Sequence, residues 1–327
     1  MIVVKALQLS MKKGPQTLKD INMSNVVKIR EVGLRDGLQL IKTNLSTELK
    51  LSWIKKQVSA GFTEMEVTSF VPPKILPQFS DANDIIIHSN KIKELKPTAL
   101  VLNTKGAIRA IEAGAKKITF VLSASEKHNQ SNVNCSTDES LLMFNEIIET
   151  SKDFKIEVAA AIATSFGCSI QGSVSGVRVL ELAKEMAKKG ASEINLADTV
   201  GYANPKQVKS LFGKLKDQIG NTPMAAHFHD TRGMGLANVV AALQKGVRRF
   251  DATMAGLGGC PFAPGASGNI ATEDCAYLLE SLGFDTSVDF DKLLELRSYL
   301  SDLLPNEKLE GRLGVAGTAI NFKNKFL

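Results

Sequence analysis

Short apolar runs rich in β-branched residues alternate with longer stretches of helical periodicity, and the alternation repeats about eight times along the chain. The strand-like runs are Val26–Gly33, Glu64–Phe70, Thr98–Asn103, Lys117–Ser125, Glu157–Thr164, Glu193–Thr199, Met224–Asp230 and Arg249–Gly256. Helical segments fall between them at Thr47–Ala60, Lys105–Ala113, Thr137–Thr150, Val177–Lys189, Pro205–Ile219, Met234–Lys245 and Ala271–Leu282. Several stop on a glycine (Gly61, Gly114, Gly190, Gly220, Gly246, Gly283), where a left-handed cap is expected. Such a series predicts an α/β fold, the (β/α)8 TIM barrel, which takes roughly 250 residues as one unit. A doubly wound sheet seldom needs eight regular units and carries a glycine fingerprint after its first strand. Here that place holds Leu34-Arg35-Asp36-Gly37-Leu38-Gln39. The expected organisation is a short N-terminal extension (1–25), a catalytic barrel (26–283), and a C-terminal helical extension and tail (284–327).

Composition narrows the function classes. At 44% hydrophobic and 23% charged residues the chain matches an ordinary globular protein, which excludes collagen, coiled coil and disorder. Its apolar runs fall far short of the ~20 residues of a membrane span. The net charge of +6 is spread along the chain and aromatics are only 6%, so no nucleic-acid groove is expected. A mild basic surplus suits a small anionic substrate equally well. Cys135, Cys168, Cys260 and Cys275 show no CxxC spacing, which points away from a zinc knuckle and toward a reducing compartment. The first 25 residues carry Lys5, Lys12, Lys13 and Lys19 but no arginine, unlike a transit peptide, so a cytoplasmic location is expected.

In TIM barrels the chemistry sits at the C-terminal ends of the strands. The reactive side chains of this sequence collect there. Strand one ends at Arg35 and Asp36, strand two carries Glu66, strand six ends at Asp198, and strand seven carries His227 and His229. Two histidines two residues apart on a strand face the same side, here the barrel interior. Closure brings strand one beside strand eight, so Asp36 and Asn269 can reach the same point. Two imidazoles, a carboxylate and an amide oxygen suit Mg²⁺ or Mn²⁺, with Zn²⁺ or Co²⁺ as alternatives. Arg35 cannot lose its proton and offers a planar fork of donors to a developing oxyanion; a salt bridge to a neighbouring acid is its other reading. Glu66 faces inward and needs a cation, with Arg35 the nearest. Asp198 is a base or a supporting partner. Cys260 lies in a glycine-rich loop over the barrel mouth, read as a lid, where a thiol can move a proton. The other three cysteines read as packing residues, and His88, in a helix, and His128, in a polar loop, as solvated surface.

With these residues in hand, the chain resembles the 3-hydroxy-3-methylglutaryl-CoA lyase family. The resemblance rests on Glu31 through Gln39 (EVGLRDGLQ), Glu66 through Lys74 (EVTSFVPPK), Ala197 through Gly201 (ADTVG), His227 through Thr231 (HFHDT) and Gly256 through Asn269 (GLGGCPFAPGASGN). It implies a metal-dependent carbon–carbon lyase acting on an acyl-CoA substrate, cutting hydroxymethylglutaryl-CoA to acetyl-CoA and acetoacetate. Asp36, His227, His229 and Asn269 would hold a divalent metal, Mg²⁺ or Mn²⁺ foremost. Arg35 would steady the enolate, Cys260 would be the catalytic cysteine, and Glu66 and Asp198 supporting acids, with Asp198 or a group near His227 as the base. Lys42 and Asn132 match positions used for the CoA-linked part of the substrate, and a homo-oligomer, a dimer or higher, is expected. The chain departs from the family at Leu40-Ile41, where Asn-Glu is usual, and at Asn195 and Ala197, where serine and glycine are usual. Those departures leave open citramalyl-CoA or a longer 3-hydroxyglutaryl-CoA analogue as substrate. A Claisen-condensing acyltransferase is a third reading, which the cysteine loop disfavours.

Overall fold

A computed structural model describes residues 25–258, 268–320 and 322. Eight parallel strands close into a barrel in chain order: β1 (Lys28–Glu31), β2 (Glu64–Ser69), β3 (Lys96–Val101), β4 (Lys117–Ser123), β5 (Glu157–Ala163), β6 (Ile194–Asp198), β7 (Met224–Phe228) and β8 (Arg249–Ala252). Closure is direct, with Ile29 opposite Phe250 and Arg30 opposite Asp251. The outer layer comprises α1 (Thr47–Ser59), α2 (Ala82–Ser89), α3 (Thr104–Glu112), α4 (Glu126–Val133) and α5 (Thr137–Asp153). It continues with α6 (Gly176–Lys189), α7 (Pro205–Gln218), α8 (Gly235–Leu243) and α9 (Thr272–Ser281). The (β/α)8 expectation therefore holds.

β4 shows how the sequence specifies this layering. Its side chains alternate, so Ile118, Phe120 and Leu122 are buried against the helices while Thr119 and Val121 line the barrel cavity. The Phe120 ring lies 5.7 Å from that of Phe144 on α5, and truncating such a buried ring costs about 3–5 kcal/mol. Helix starts are equally legible. Ser136 and Glu139 form a reciprocal capping box for α5, and Asn204 with Gln207 does the same for α7, where Pro205 occupies the first turn. All six glycines expected to end helices have positive φ. At Gly61 (φ +101°) a Cβ would also stand 2.1 Å from the Ser287 carbonyl oxygen, so no larger residue fits.

Three regions differ from the sequence reading. β1 ends at Glu31 and the chain then winds into a π-helical turn (Gly33–Gly37), so Arg35 and Asp36 stand on that turn rather than on the strand. β8 ends at Ala252 because a tight turn follows, with Ala255 at φ 60°. The polar segment around His128 is helix α4, not a loop. The Ser125 hydroxyl accepts the His128 N–H at 3.2 Å and starts it, and the His128 side chain is buried rather than solvated. His88, on α2, is exposed as expected.

After Gly283 the chain runs beside β1, where Val27 donates to the Asp285 carbonyl at 3.0 Å, and then forms α10 (Phe290–Leu303), which packs on α1, and the short α11 (Leu313–Ala316). Phe322 stacks on Tyr277 with centroids 4.3 Å apart. Residues 1–24, and the loop that contains Cys260, lie outside the described residues. Among the described residues no helix is long and apolar enough to cross a membrane.

The barrel interior is polar at its N-terminal end. Lys117 and Arg249 pair with both Glu64 and Glu193, and Arg30 pairs with Glu64, Glu193 and Asp251. Three cations meet three anions here, so this end is neutral, and every group except the partly exposed Arg249 is removed from water. A network of this kind is costly to break on one side, because the partner is left charged and buried.

Candidate active site

The site is assembled from the C-terminal ends of β1, β2, β7 and β8. In the π-helical turn the Val32 carbonyl accepts from both Arg35 N (3.1 Å) and Asp36 N (2.7 Å), which swings consecutive side chains over the barrel mouth. Such turns recur at functional sites because they re-aim side chains without ending the chain path. Arg35 donates from Nε to Glu66 Oε2 and from Nη1 to Asp36 Oδ1, both as close ion pairs. Burial would lower the Arg35 pKa, but Asp36 and Glu66 hold it above its ordinary value, so the guanidinium stays charged. The two readings of Arg35 coexist: it is ion-paired, and it lines the cavity.

His227 and His229 turn their Nε2 atoms to 3.1 Å from each other, and Asp36 Oδ2 lies 3.8 and 3.9 Å from them. Burial would raise the Asp36 carboxyl, yet Arg35, then His227 and His229, draw it down to about 2. His229 is pushed down to about 3, first by burial and then by His227. For His227 burial acts downward, and the hydrogen bond with Asp251 together with the charges of Asp36 and Asp251 outweighs it, raising the group. Ligand atoms of Asp36, His227 and His229 lie within 4.8 Å of one another, the spacing a metal ion requires. Asn269 pairs across a bridge with His229, and its Nδ2 donates to Asp36 Oδ2 at 2.6 Å. Its Oδ1 is buried without a hydrogen-bond partner among the described residues, an acceptor left over at the edge of the cluster. Gly258 makes this approach possible, since a Cβ there would meet Asn269 Nδ2 at 2.8 Å and its φ is +108°. The donor set thus fits a divalent cation, with oxygen and nitrogen ligands and an orphaned amide oxygen at hand.

Above these groups opens a cavity of about 850 Å³. Its floor carries Arg35, Asp36, Glu66, His227, His229 and Asp251, and its wall is largely apolar. Of the four positions that depart from the family pattern, Leu40, Asn195 and Ala197 face it, whereas Ile41 is buried in the core. Asn132 lies at its exposed rim, whereas Lys42 is exposed and does not line it. Cys135, read as a packing residue, is half-buried and lines the cavity. Cys168 and Cys275 are buried, as expected of packing residues.

Of the two readings of Asp198, a base or a supporting partner, the geometry favours the second. On β6 Asn195 and Ala197 face the cavity, so the alternation turns Asp198 the other way. Its Oδ1 instead accepts the backbone N–H groups of Tyr202 (2.8 Å) and Ala203 (3.1 Å), bracing the turn into α7. Burial, its largest influence, pushes its pKa up to about 6. It supports the loop rather than facing substrate as a base. Conversely, sequence reasoning passed over Asp251. An inward acid two residues beyond the inward Arg249 was the available signal, and its Oδ2 lies 3.3 Å from His227 Nδ1.

Comparison with known proteins follows the same residues. The HMGL-like family matches residues 26–300. The hydroxymethylglutaryl-CoA lyase of Bacillus subtilis is 40% identical over 288 residues, covering 87% of this chain and 96% of the relative. The mitochondrial hydroxymethylglutaryl-CoA lyase of Bos taurus is 40% identical over 297 residues, covering 89% of this chain and 91% of the relative. An HMG-CoA lyase structure from Acinetobacter baumannii, in complex with coenzyme A and 3-methylmalate, superposes with a TM-score of 0.87 at 40% identity, covering 91% of this chain and 97% of that one. Fold and sequence agree, and the chain belongs to the HMGL-like family.

Proposed function

We propose that this protein is a divalent-metal-dependent lyase that cleaves 3-hydroxy-3-methylglutaryl-CoA to acetyl-CoA and acetoacetate. The observation that carries the reading is the juxtaposition of Arg35 with the Asp36–His227–His229 cluster on the floor of one cavity. Asp36, His227, His229 and Asn269 would hold the metal, with Mg²⁺ or Mn²⁺ favoured by the oxygen ligands. When bound, it supplies Lewis acidity that lowers the pKa of the substrate's tertiary hydroxyl.

The chain's own residues account for the rest. With Asp198 turned away, a basic group beside His227 takes the hydroxyl proton, and the C3–O bond becomes a carbonyl as the C2–C3 bond breaks. The bonding pair passes to the thioester as an enolate, and the charged Arg35 fork meets its oxygen. Glu66, ion-paired with Arg35 Nε, holds that fork in place. Cys260, matched to the family's catalytic cysteine, would deliver the proton that makes acetyl-CoA. Asn132 at the rim suits the CoA arm. The A. baumannii relative, solved with coenzyme A, supports an acyl-CoA substrate. We read the protein as a cytoplasmic homo-oligomer.

The test is a panel of 3-hydroxyacyl-CoA thioesters given to purified, metal-loaded protein, with acetyl-CoA as the readout. Hydroxymethylglutaryl-CoA should be the best substrate. Preference for citramalyl-CoA or a longer analogue would move the assignment to a sister activity. Net consumption of acetyl-CoA would make the protein a condensing enzyme.

A further inference from the structure

We propose that Asp251, held by Asn195 and Arg30, is a positioning residue that fixes the orientation and tautomer of His227, so that Nε2 is presented to the metal. Three contacts carry this. Asp251 Oδ2 lies 3.3 Å from His227 Nδ1, on the side of the ring away from the Asp36–His229 cluster. The same oxygen accepts Asn195 Nδ2 at 2.7 Å, while Oδ1 accepts Arg30 Nε at 2.8 Å. Asp251 and His227 are also direct register partners on adjacent strands, so the carboxylate is aimed by the backbone as well as by its donors.

The chemistry follows from what each atom can do. An imidazole binds a metal through a nitrogen lone pair, so Nε2 must be free of its proton. A carboxylate accepts hydrogen bonds only, so the proton of neutral His227 belongs on Nδ1. Carboxylate–histidine pairs of this form raise ligand basicity and fix the ring, and losing the outer partner typically lowers metal affinity about 10–100-fold. Asn195 matters because of its length. Its carboxamide reaches across to Asp251, whereas a serine, usual here in the family, carries its only polar atom on Cβ. The other two partners of Asp251, Arg30 Nε and Asn195 Nδ2, are both donors, so the carboxylate is held ionised and as an acceptor toward Nδ1. Asp251 lies in the cavity floor but is buried, with both carboxylate oxygens committed to Arg30, Asn195 and His227, so it holds its ring rather than meeting substrate.

This rests on the metal reading above, and the experiment separates the two. Mn²⁺ is titrated into metal-free wild type, Asp251→Asn, Asn195→Ala and Glu193→Gln by calorimetry. Folding of each is checked by circular dichroism. Glu193 is equally buried and binds the same Arg30, but it touches neither Asp251 nor His227. Asp251→Asn should weaken Mn²⁺ at least about tenfold, since its amide would point a donor at a donor. Asn195→Ala should weaken it by an intermediate factor and Glu193→Gln hardly at all. Should Asp251→Asn fail to fold, Asn195→Ala carries the test. Two-bond ¹H–¹⁵N spectra of metal-free wild type at alkaline pH, with only four histidines to resolve, should show His227 as the Nδ1–H tautomer. Wild-type Mn²⁺ affinity in both Asp251→Asn and Asn195→Ala, an equal loss in Glu193→Gln, or an Nε2–H tautomer would each overturn the proposal. A wild type that binds no Mn²⁺ but shows the Nδ1–H tautomer would overturn the metal reading and leave the Asp251–His227 pair standing.

Discussion

His227 and His229 face each other Nε2 to Nε2 at 3.1 Å, with the Asp36 carboxylate within 4 Å of both rings. Two buried imidazoles this close cannot both carry charge, and His229 is accordingly pushed down to about 3 by burial and by His227. Two inward nitrogen donors beside a carboxylate held ionised at neutral pH are a ligand set. Exhaustive chelation should therefore abolish turnover, and Mg²⁺ or Mn²⁺ should restore it. Full activity in protein shown by elemental analysis to be metal-free would remove the metal from the account.

Arg35→Lys tests the oxyanion role. A lysine brings a point charge on a flexible stem and cannot reproduce a fork that reaches Glu66 and Asp36 together. The expected loss is about 10²–10³ in kcat with a much smaller change in KM. A raised KM at constant kcat, measured by steady-state kinetics, would make Arg35 a ground-state binder.

Much of this was legible because barrel strands obey a two-residue period. The i, i+2 spacing of His227 and His229 put both rings inside, and the inward Glu66 required the cation that it finds in Arg35. Where the reading went astray, a single residue of register or a local turn was responsible. Asp198 follows a cavity-facing Ala197 and so points to the α7 turn, a parity that the last residue of a strand does not declare. The π-helical turn after β1 leaves no periodic signature in five residues. Asp251 was hidden for a different reason. Its partners Arg30 and Asn195 are remote in the sequence, and only closure of β1 onto β8 brings Arg30 beside it.

Cys260 is tested by substitution. Cys260→Ala should fold and bind metal but lose about 10²–10⁴ in turnover, the usual contribution of a general acid. Cys260→Ser should not rescue it, because a hydroxyl is a far poorer proton donor than a thiol. Cys135→Ala, which removes a thiol that lines the cavity, should leave kcat nearly intact. Near-normal turnover by Cys260→Ala would assign the proton to another group.

The barrel floor predicts a pH dependence of stability. Burial acts to raise Glu64, but Lys117 foremost, then Arg30 and Arg249, draw it from 4.5 to about 2. Its folded pKa lies below its unfolded one, so its contribution is complete above pH 4.5 and is lost as pH falls toward 2. Glu64→Gln should thus cost on the order of 3 kcal/mol at pH 7. Urea unfolding of both proteins should show that gap narrowing at pH 3. A gap independent of pH would show that packing, not charge, is what Glu64 supplies.

The central claim is that this site breaks a carbon–carbon bond in hydroxymethylglutaryl-CoA. The direct measurement is a single reaction of Mn²⁺-loaded protein with that thioester, in which acetyl-CoA and acetoacetate are quantified separately. The account predicts both products in a one-to-one ratio, at the rate of substrate loss, and neither in Arg35→Lys on the same timescale. Loss of the thioester to free CoA without acetoacetate, or no reaction at all by folded, metal-loaded protein, would contradict it.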